Sequence, residues 1–451
     1  MKFHRYKDKC DYNYMIGLML LNSFELDNIK DYIIIFILSI LFLVCINSYK
    51  SKMFNHQTKN INGPVNVARL EGKINNIKKI IYVFMDYHLD VTQQSECDNI
   101  YSHDIQLYLA ENFYQMSNSD KIYDFFFETR PTYLVNINDE KYRSKRSKKY
   151  KYITEVDKLF QKIFKFNREK NLTKISDILP NIRLHYVDIR DYFFLINFEE
   201  METINNILNE MWTNHSLHHP NLKLISYTIL NMKKKCEFLI EILTSKKPVN
   251  KNTKIIKYDS EKISSNENST NENLIYLIDK IFDRYHNNNT KIIMSKQKDI
   301  LIDYLQQLIT LFDDTTKIIT DGIGGNDDIS YINNTRIALT KLLNNWLIFE
   351  SKEIKFFTRF MDVYFLRRFL DKDYITNAIT YTGEYHSFVY IEILMRDFNF
   401  KLTHISYPKD INIDELNQQI KNKNADELSE FLKPKEIIQC SDVSHFPKLF
   451  S

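Results

Sequence analysis

Five short runs, Lys79-Ile-Ile-Tyr-Val-Phe-Met85, Tyr123-Asp-Phe-Phe-Phe127, Ile182-Arg-Leu-His-Tyr-Val187, Ile375-Thr-Asn-Ala-Ile-Thr-Tyr381 and Lys401-Leu-Thr-His-Ile-Ser406, constrain this chain most. Strands with one solvated face alternate polar and apolar residues, whereas these runs are apolar on both faces and are separated by helical stretches. The pattern predicts an α/β chain with a central parallel or mixed sheet flanked by helices. Residues 62–72, opened by Gly63-Pro64, read as a shorter leading strand.

Composition narrows the function classes. The 451 residues are 44% hydrophobic and 26% charged, enough apolar material for a sizeable core. Lys+Arg 61 against Asp+Glu 58 leaves a formal charge of +3, which argues for no nucleic-acid surface. Glycine numbers 7, where an average chain of this length holds about 30. No phosphate-cradling loop, neither G-x-x-x-x-G-K-[ST] nor G-x-G-x-x-G, is present. Gly322-Ile323-Gly324-Gly325 follows a helical pattern and reads as a helix stop. The excess of Asn, Ile, Lys and Tyr is what an AT-rich genome encodes. Cys10, Cys45, Cys97, Cys236 and Cys440 are dispersed with no C-x-x-C pair, so neither a zinc ribbon nor a disulfide framework is expected, and the redox compartment stays open.

Two regions are expected, 1–61 and a single α/β domain over 62–451. Residues 32–49 form an uncharged run of about 27 Å as a helix, close to a hydrocarbon core of about 30 Å. This hydrophobic helix predicts a single-pass anchor in a host or virion membrane, on an undecided side. If Met53 is the true start, the protein is instead soluble. Within the domain, residues 197–371 read as a long, mostly helical insertion. The Asn/Ser/Lys-rich tract over 246–273 is too polar to order itself and predicts a disordered loop.

The chemistry-bearing residues gather where strands end. The first run breaks at Asp86-Tyr87-His88, the second at Glu128-Thr129-Arg130, the third at Asp188-Ile189-Arg190. Open parallel sheets keep their ligand sites at these carboxyl ends. The fourth run ends in Gly383-Glu384-Tyr385-His386, spending a scarce glycine on its turn. His88 and His386 would meet if their strands are neighbours. With Glu128 they would form a divalent-metal site for Mn, Co or Zn, with Asp86, Glu384 or Glu128 available as general base or ligand and Asp188 and Arg190 around them.

This ordered set of a strand with a first histidine, a second strand ending in Glu, an Arg-bearing helix, and a strand closed by G-x-x-H resembles the TraB/Tiki group, with its erythromycin-esterase-like and ChaN-like relatives. His88 matches the first histidine, Glu128 the glutamate, Gly383-Glu-Tyr-His386 the second motif and Phe365-Leu-Arg367-Arg368-Phe-Leu the helix. The resemblance implies a metal-dependent hydrolase, a peptidase in the Tiki branch. Met85 stands where the first motif has glycine. A catalytically inactive member serving as a viral structural or interaction protein is the alternative, in which the strand-end residues pair among themselves. A third idea is an anion-binding module using Arg130, Arg190 and Arg367. Residues 62–72, Asp86-Tyr87-His88, Glu96-Cys97-Asp98-Asn99 and residues 381–387 also resemble uncharacterised paralogous proteins of giant DNA viruses of the mimivirus kind.

The remaining histidines are assigned smaller parts. His103 and Asp104, at helical distance from the first motif, are candidates for orienting a ligand. His404 reads as a hydrogen-bonded core residue, and His215-Ser-Leu-His218-His219 as an exposed turn. The expected partners are therefore a membrane and a peptide or small-molecule substrate, with no nucleic acid.

Overall fold

The computed structural model describes residues 60–88, 95–129, 151–164, 176–189, 195–196, 198–216, 219–245, 267–322, 328–408 and 410–451. In chain order its elements are β1 (Asn60–Asn62), β2 (Pro64–Ile74), β3 (Ile77–Asp86), β4 (His103–Asp104), α1 (Ile105–Gln115), β5 (Tyr123–Phe127), α2 (Lys151–Ile163) and β6 (Ile182–Tyr186). The helices α3 (Phe198–Asn214), α4 (His219–Thr244), α5 (Glu267–Phe282), α6 (Asn288–Gly322) and α7 (Asp328–Asp371) follow. The chain closes with β7 (Asn377–Gly383), α8 (Glu384–Phe398), β8 (Lys401–Ile405), α9 (Ile413–Ile420), α10 (Ala425–Leu432) and β9 (Cys440–Asp442).

The main sheet has six strands in the order β6-β5-β7-β3-β2-β8. The strands β6, β5, β7 and β3 run parallel, and β2 is antiparallel to both β3 and β8. The sheet is therefore mixed, with a parallel heart. Asn75 and Asn76, both at positive φ, make the tight turn between β2 and β3, a conformation that asparagine tolerates better than other side-chain-bearing residues. A second sheet has three short strands in the order β4-β1-β9, and the Ser441 hydroxyl of β9 donates to the Pro64 carbonyl of β2 at 2.8 Å.

Burial on both faces explains the apolar runs. Ile81, Val83 and Met85 of β3 and Phe126 of β5 join the apolar cluster that extends through the insertion helices, while Tyr82, Phe84, Phe125 and Phe127 join a second cluster under α1 and α2. Successive residues thus serve opposite cores. Met85 is fully buried in the first. Lys79 is also fully buried, and its ammonium donates to the carbonyls of Phe369 (3.0 Å), Lys372 (2.8 Å) and Ile375 (2.7 Å). These carbonyls lie at and beyond the end of α7, so one lysine satisfies acceptors that the helix leaves open and fixes the entry into β7.

Helices α3 to α7 occupy the stretch read as an insertion, and α6 ends at Gly322. One expectation is corrected: the polar tract read as disordered to residue 273 is helical from Glu267, where α5 begins. Leu274, Leu277, Ile278 and Ile281 of that helix are buried in the core, and once they nucleate it, extension backwards into polar residues costs little. Residues 246–266 lie outside the described residues, as does the membrane span expected over 32–49. Among the described residues no helix is long and apolar enough to cross a membrane.

Candidate functional site

Parallel pairing places the strand ends in one row. Asp86 is opposite Gly383, and Phe127 is opposite both Tyr381 and Tyr186. The backbone N–H of Glu128 continues the ladder to the Tyr381 carbonyl at 3.2 Å. One step beyond this edge, the two histidines meet Glu128. His88 Nε2 lies 3.8 Å from Glu128 Oε2, and His386 Nε2 lies 3.6 Å from Glu128 Oε1. Residues 298 positions apart thus converge on the two oxygens of one buried carboxylate.

Each imidazole is held from behind. His88 Nδ1 is 2.8 Å from Asp86 Oδ2, and His386 Nδ1 is 2.6 Å from Asp362 Oδ1. An ionised carboxylate only accepts, so both Nδ1 atoms carry protons and donate. Asp86 is fixed in turn by the Tyr381 hydroxyl, which donates to its Oδ1 at 2.8 Å. Asp362 comes from α7, which a buried ion pair between Arg359 and Glu392 (3.0 Å) fastens to α8, the helix that begins one residue after Gly383 and carries His386. Among the described residues, Asp362 Oδ2 finds no hydrogen-bond partner.

Gly383 lies in close approach to the cluster. A Cβ at this position would stand 3.3 Å from His88 Nε2 and 3.5 Å from Glu128 Oε2, and the N–H of Gly383 donates to that same Oε2 at 2.7 Å. Glu384, next in the chain, pairs with Lys433 at 3.5 Å, and the Lys433 ammonium also sits 4.1 Å above the Tyr87 ring. Burial pushes the Glu384 carboxyl above its ordinary range, against the pull of Lys433.

The cluster is strongly coupled. Burial alone would depress both imidazoliums, but Asp86 and Glu128 hold His88 well above its ordinary value, while Asp362 and Glu128 lift His386 to about 10. Glu128 is driven well below its ordinary range by the two histidines, overcoming a burial effect of opposite sign. Burial raises Asp362 to about 6 despite His386. The physical content is simple. With both Nδ1 protons committed, each Nε2 faces a carboxylate, and only positive charge between them, protons or a metal ion, removes the repulsion.

The donor set suits a divalent cation, with two imidazole Nε2 atoms and a carboxylate, each ring oriented by a carboxylate on its other nitrogen. Ligand bonds of about 2.1 Å in a tetrahedron put neighbouring donors about 3.4 Å apart, slightly less than the spacings here. As they stand, no three or more His, Cys, Asp or Glu among the described residues are placed so as to hold a metal ion.

The structure thus brings together His88, His386, Glu128 and Asp86, with Glu384 beside them. Asp188 is buried just past the end of β6, beyond β5 in the strand order. Arg190 and Arg130 lie outside the described residues. Arg367 donates to the Arg284 carbonyl and stacks on Tyr285. His103 pairs with Glu111 at 3.2 Å, and Asp104 accepts from Asn62. Neither contact reaches the cluster, so the ligand-orienting part falls to Asp362 instead. In the sequence Asp362 is a lone acid inside Phe360-Met361-Asp362-Val363, with no signal that separates it from a solvent-facing one. The cysteine reading is corrected as well: Cys97 and Cys440 form a disulfide across 343 positions, a distance at which no spacing motif signals a pair.

A family model described as a family of unknown function, DUF5847, matches residues 59–451. Three uncharacterised proteins of Acanthamoeba polyphaga mimivirus are similar over most of the chain. One is 36% identical over 425 residues (89% of this chain, 99% of the relative), another 37% over 432 (86% and 98%) and a third 31% over 442 (89% and 99%). No solved structure matches. Neither the family model nor these relatives carries a TraB/Tiki assignment, so that likeness rests on the motif residues alone.

Proposed function

From the premise that the chain belongs to DUF5847, a family shared with uncharacterised mimivirus proteins, we propose that it is a metal-dependent hydrolase of the TraB/Tiki type. The observation that carries this reading is the convergence of His88 Nε2 and His386 Nε2 on the two oxygens of Glu128, with Asp86 and Asp362 behind the rings. His88, His386 and Glu128 would hold the ion. A bound divalent ion supplies electrophilic activation of a carbonyl group and acidifies water.

The chain's own residues do the rest. Asp86 and Asp362 keep each proton on Nδ1, which leaves both Nε2 lone pairs directed to the same place. Glu384, its carboxyl raised by burial, is placed to hold and return a proton at the rim, and Lys433 limits that rise. Gly383 keeps space open between His88 and Glu128 and orients the Glu128 carboxylate through its N–H. Met85, which stands where the TraB/Tiki motif has glycine, packs its side chain in the core. The span over 32–49 would attach this site to a membrane, which fractionation of the expressed full chain tests directly.

Calorimetric titration of the full chain with Mn²⁺, Co²⁺ and Zn²⁺ decides the main point. Stoichiometric binding that disappears in both His88→Ala and His386→Ala supports the reading and opens a screen of peptides and esters. Binding that is absent, or indifferent to both substitutions, overturns it. That second outcome favours the inactive interaction protein, a reading supported by the Asp86–His88 and Asp362–His386 pairs already formed.

A further inference from the structure

The His88 side of the site is sewn to one stretch of the C-terminal region at two places. At Tyr87, immediately before His88, Gln439 Nε2 donates to the backbone carbonyl at 3.0 Å and the Lys433 ammonium covers the ring. At Ser95, the Gln439 N–H donates to the carbonyl at 3.0 Å and the Ser95 hydroxyl donates to the Ile437 carbonyl at 3.1 Å. Cys97 is then bonded covalently to Cys440, the first residue of β9. The Cys97 N–H donates to Asn62 of β1, the strand that pairs with β9.

The Ser95 hydroxyl bond lies at the surface and those of Tyr87 and Cys97 are only partly buried, so each can break and re-form, whereas the disulfide does not. Its partner sulfur belongs to the residue after Gln439, the side chain that holds Tyr87. We propose that Cys97–Cys440 is a redox staple. It keeps the segment from Lys433 to Cys440 seated against Tyr87 and Ser95, so that His88 is held in place in the oxidised chain and loosened on reduction. Closure takes two protons and two electrons from the thiols of Cys97 and Cys440 to an exchanging disulfide, which leaves as a dithiol. Opening is the reverse: a dithiol's thiolate attacks one sulfur, and its second thiol resolves the mixed disulfide, becoming a disulfide itself. The consequence for metal affinity rests on the hydrolase reading. The staple itself does not.

The test uses the full chain. Alkylation of the air-oxidised folded protein followed by mass spectrometry should leave Cys97 and Cys440 unmodified until reductant is added. Hydrogen exchange is then compared between the oxidised chain, the chain reduced with a phosphine, and the Cys97→Ser/Cys440→Ser variant. Peptides covering residues 84–88 and 433–439 should exchange roughly tenfold faster after reduction or substitution, with α8 unchanged. If the double variant fails to fold, the reduced native chain supplies the same comparison. Cysteines alkylated without reductant, or exchange unaltered by reduction, would overturn the staple. Mn²⁺ titration of the same samples separates the two readings: no binding by the oxidised chain removes the hydrolase, while the exchange data still decide the staple.

Discussion

Both ends of the parallel strands carry a buried carboxylate with a histidine, and the two behave oppositely. At the amino end, Asp124 of β5 accepts from His185 Nε2 at 2.6 Å and from two nitrogens of Arg183 at 2.8 and 2.6 Å. At the carboxyl end, Glu128 faces two histidines and accepts from the Gly383 N–H. His185 titrates below its ordinary value, because burial and the nearby Arg368 and Arg183 outweigh Asp124. His386 titrates far above it. A carboxylate touching an imidazole is therefore no sign of a site by itself. At Asp124 an arginine pairs with the negative charge, whereas at Glu128 two imidazoles face the carboxylate and supply positive charge only when protonated.

The largest expected effect breaks the closed end. Asp124→Ala strands Arg183 and His185 without their shared acceptor, and losing one partner of a buried ion pair costs about 3–5 kcal/mol. Urea unfolding should show this loss, while metal binding per folded molecule stays unchanged. If Asp124→Ala instead abolishes binding without loss of stability, the division between a structural and a functional end is wrong.

Two changes sharpen the open end. Asp362→Asn keeps the shape behind His386 but lets the side chain donate as well as accept, so control of the ring tautomer is lost. Residues that orient a metal ligand in this way are typically worth about 10–100-fold in affinity, and the titration should show a loss in that range. Asp362→Glu should recover part of it. Gly383→Ala is expected to be milder, roughly tenfold in metal affinity, because the added methyl meets the far ends of His88 and Glu128, groups able to give by a few tenths of an ångström. Melting temperature should barely move in this variant. A large fall in stability would show that the glycine serves the backbone and not the cavity.

What was legible in the sequence follows from what burial does to a pattern. Strands covered on both faces appear as unbroken apolar runs, so β3, β5 and β7 were readable within one or two residues, and the edge strands β6 and β8 kept enough apolar residues to be read as well. Strand ends were readable because the run stops abruptly at Asp86, Glu128 and Gly383, which supplied His88, Glu128 and His386. The short strands β1, β4 and β9 were not, since two or three residues carry no period. Asp362 was hidden for a different reason. A single acid on a long helix has the same pattern whether it faces solvent or a histidine, and only the packing of α7 on α8 decides which. The disulfide depends on β9 returning beside β1, a contact set by the whole topology.

The smallest effect concerns pH, and it returns to the closed end. In the unfolded chain the His185 ring takes up a proton near pH 6.5, whereas in the folded chain the ring resists it. The unfolded state therefore binds more protons as pH falls below about 6.5, and native stability declines there. Above that pH the contribution is fully present, because both states are neutral. Each unit separating the two values corresponds to about 1.4 kcal/mol. His185→Phe keeps an aromatic ring against Phe126, on which His185 stacks at 4.6 Å, and leaves Arg183 to neutralise Asp124. Unfolding free energies measured between pH 5 and 8 should fall less steeply towards acid in this variant than in the native chain. Equal slopes would mean that His185 is protonated in the folded state. The two ends of the sheet would then share one electrostatic design, and the contrast between them would have to rest on geometry alone.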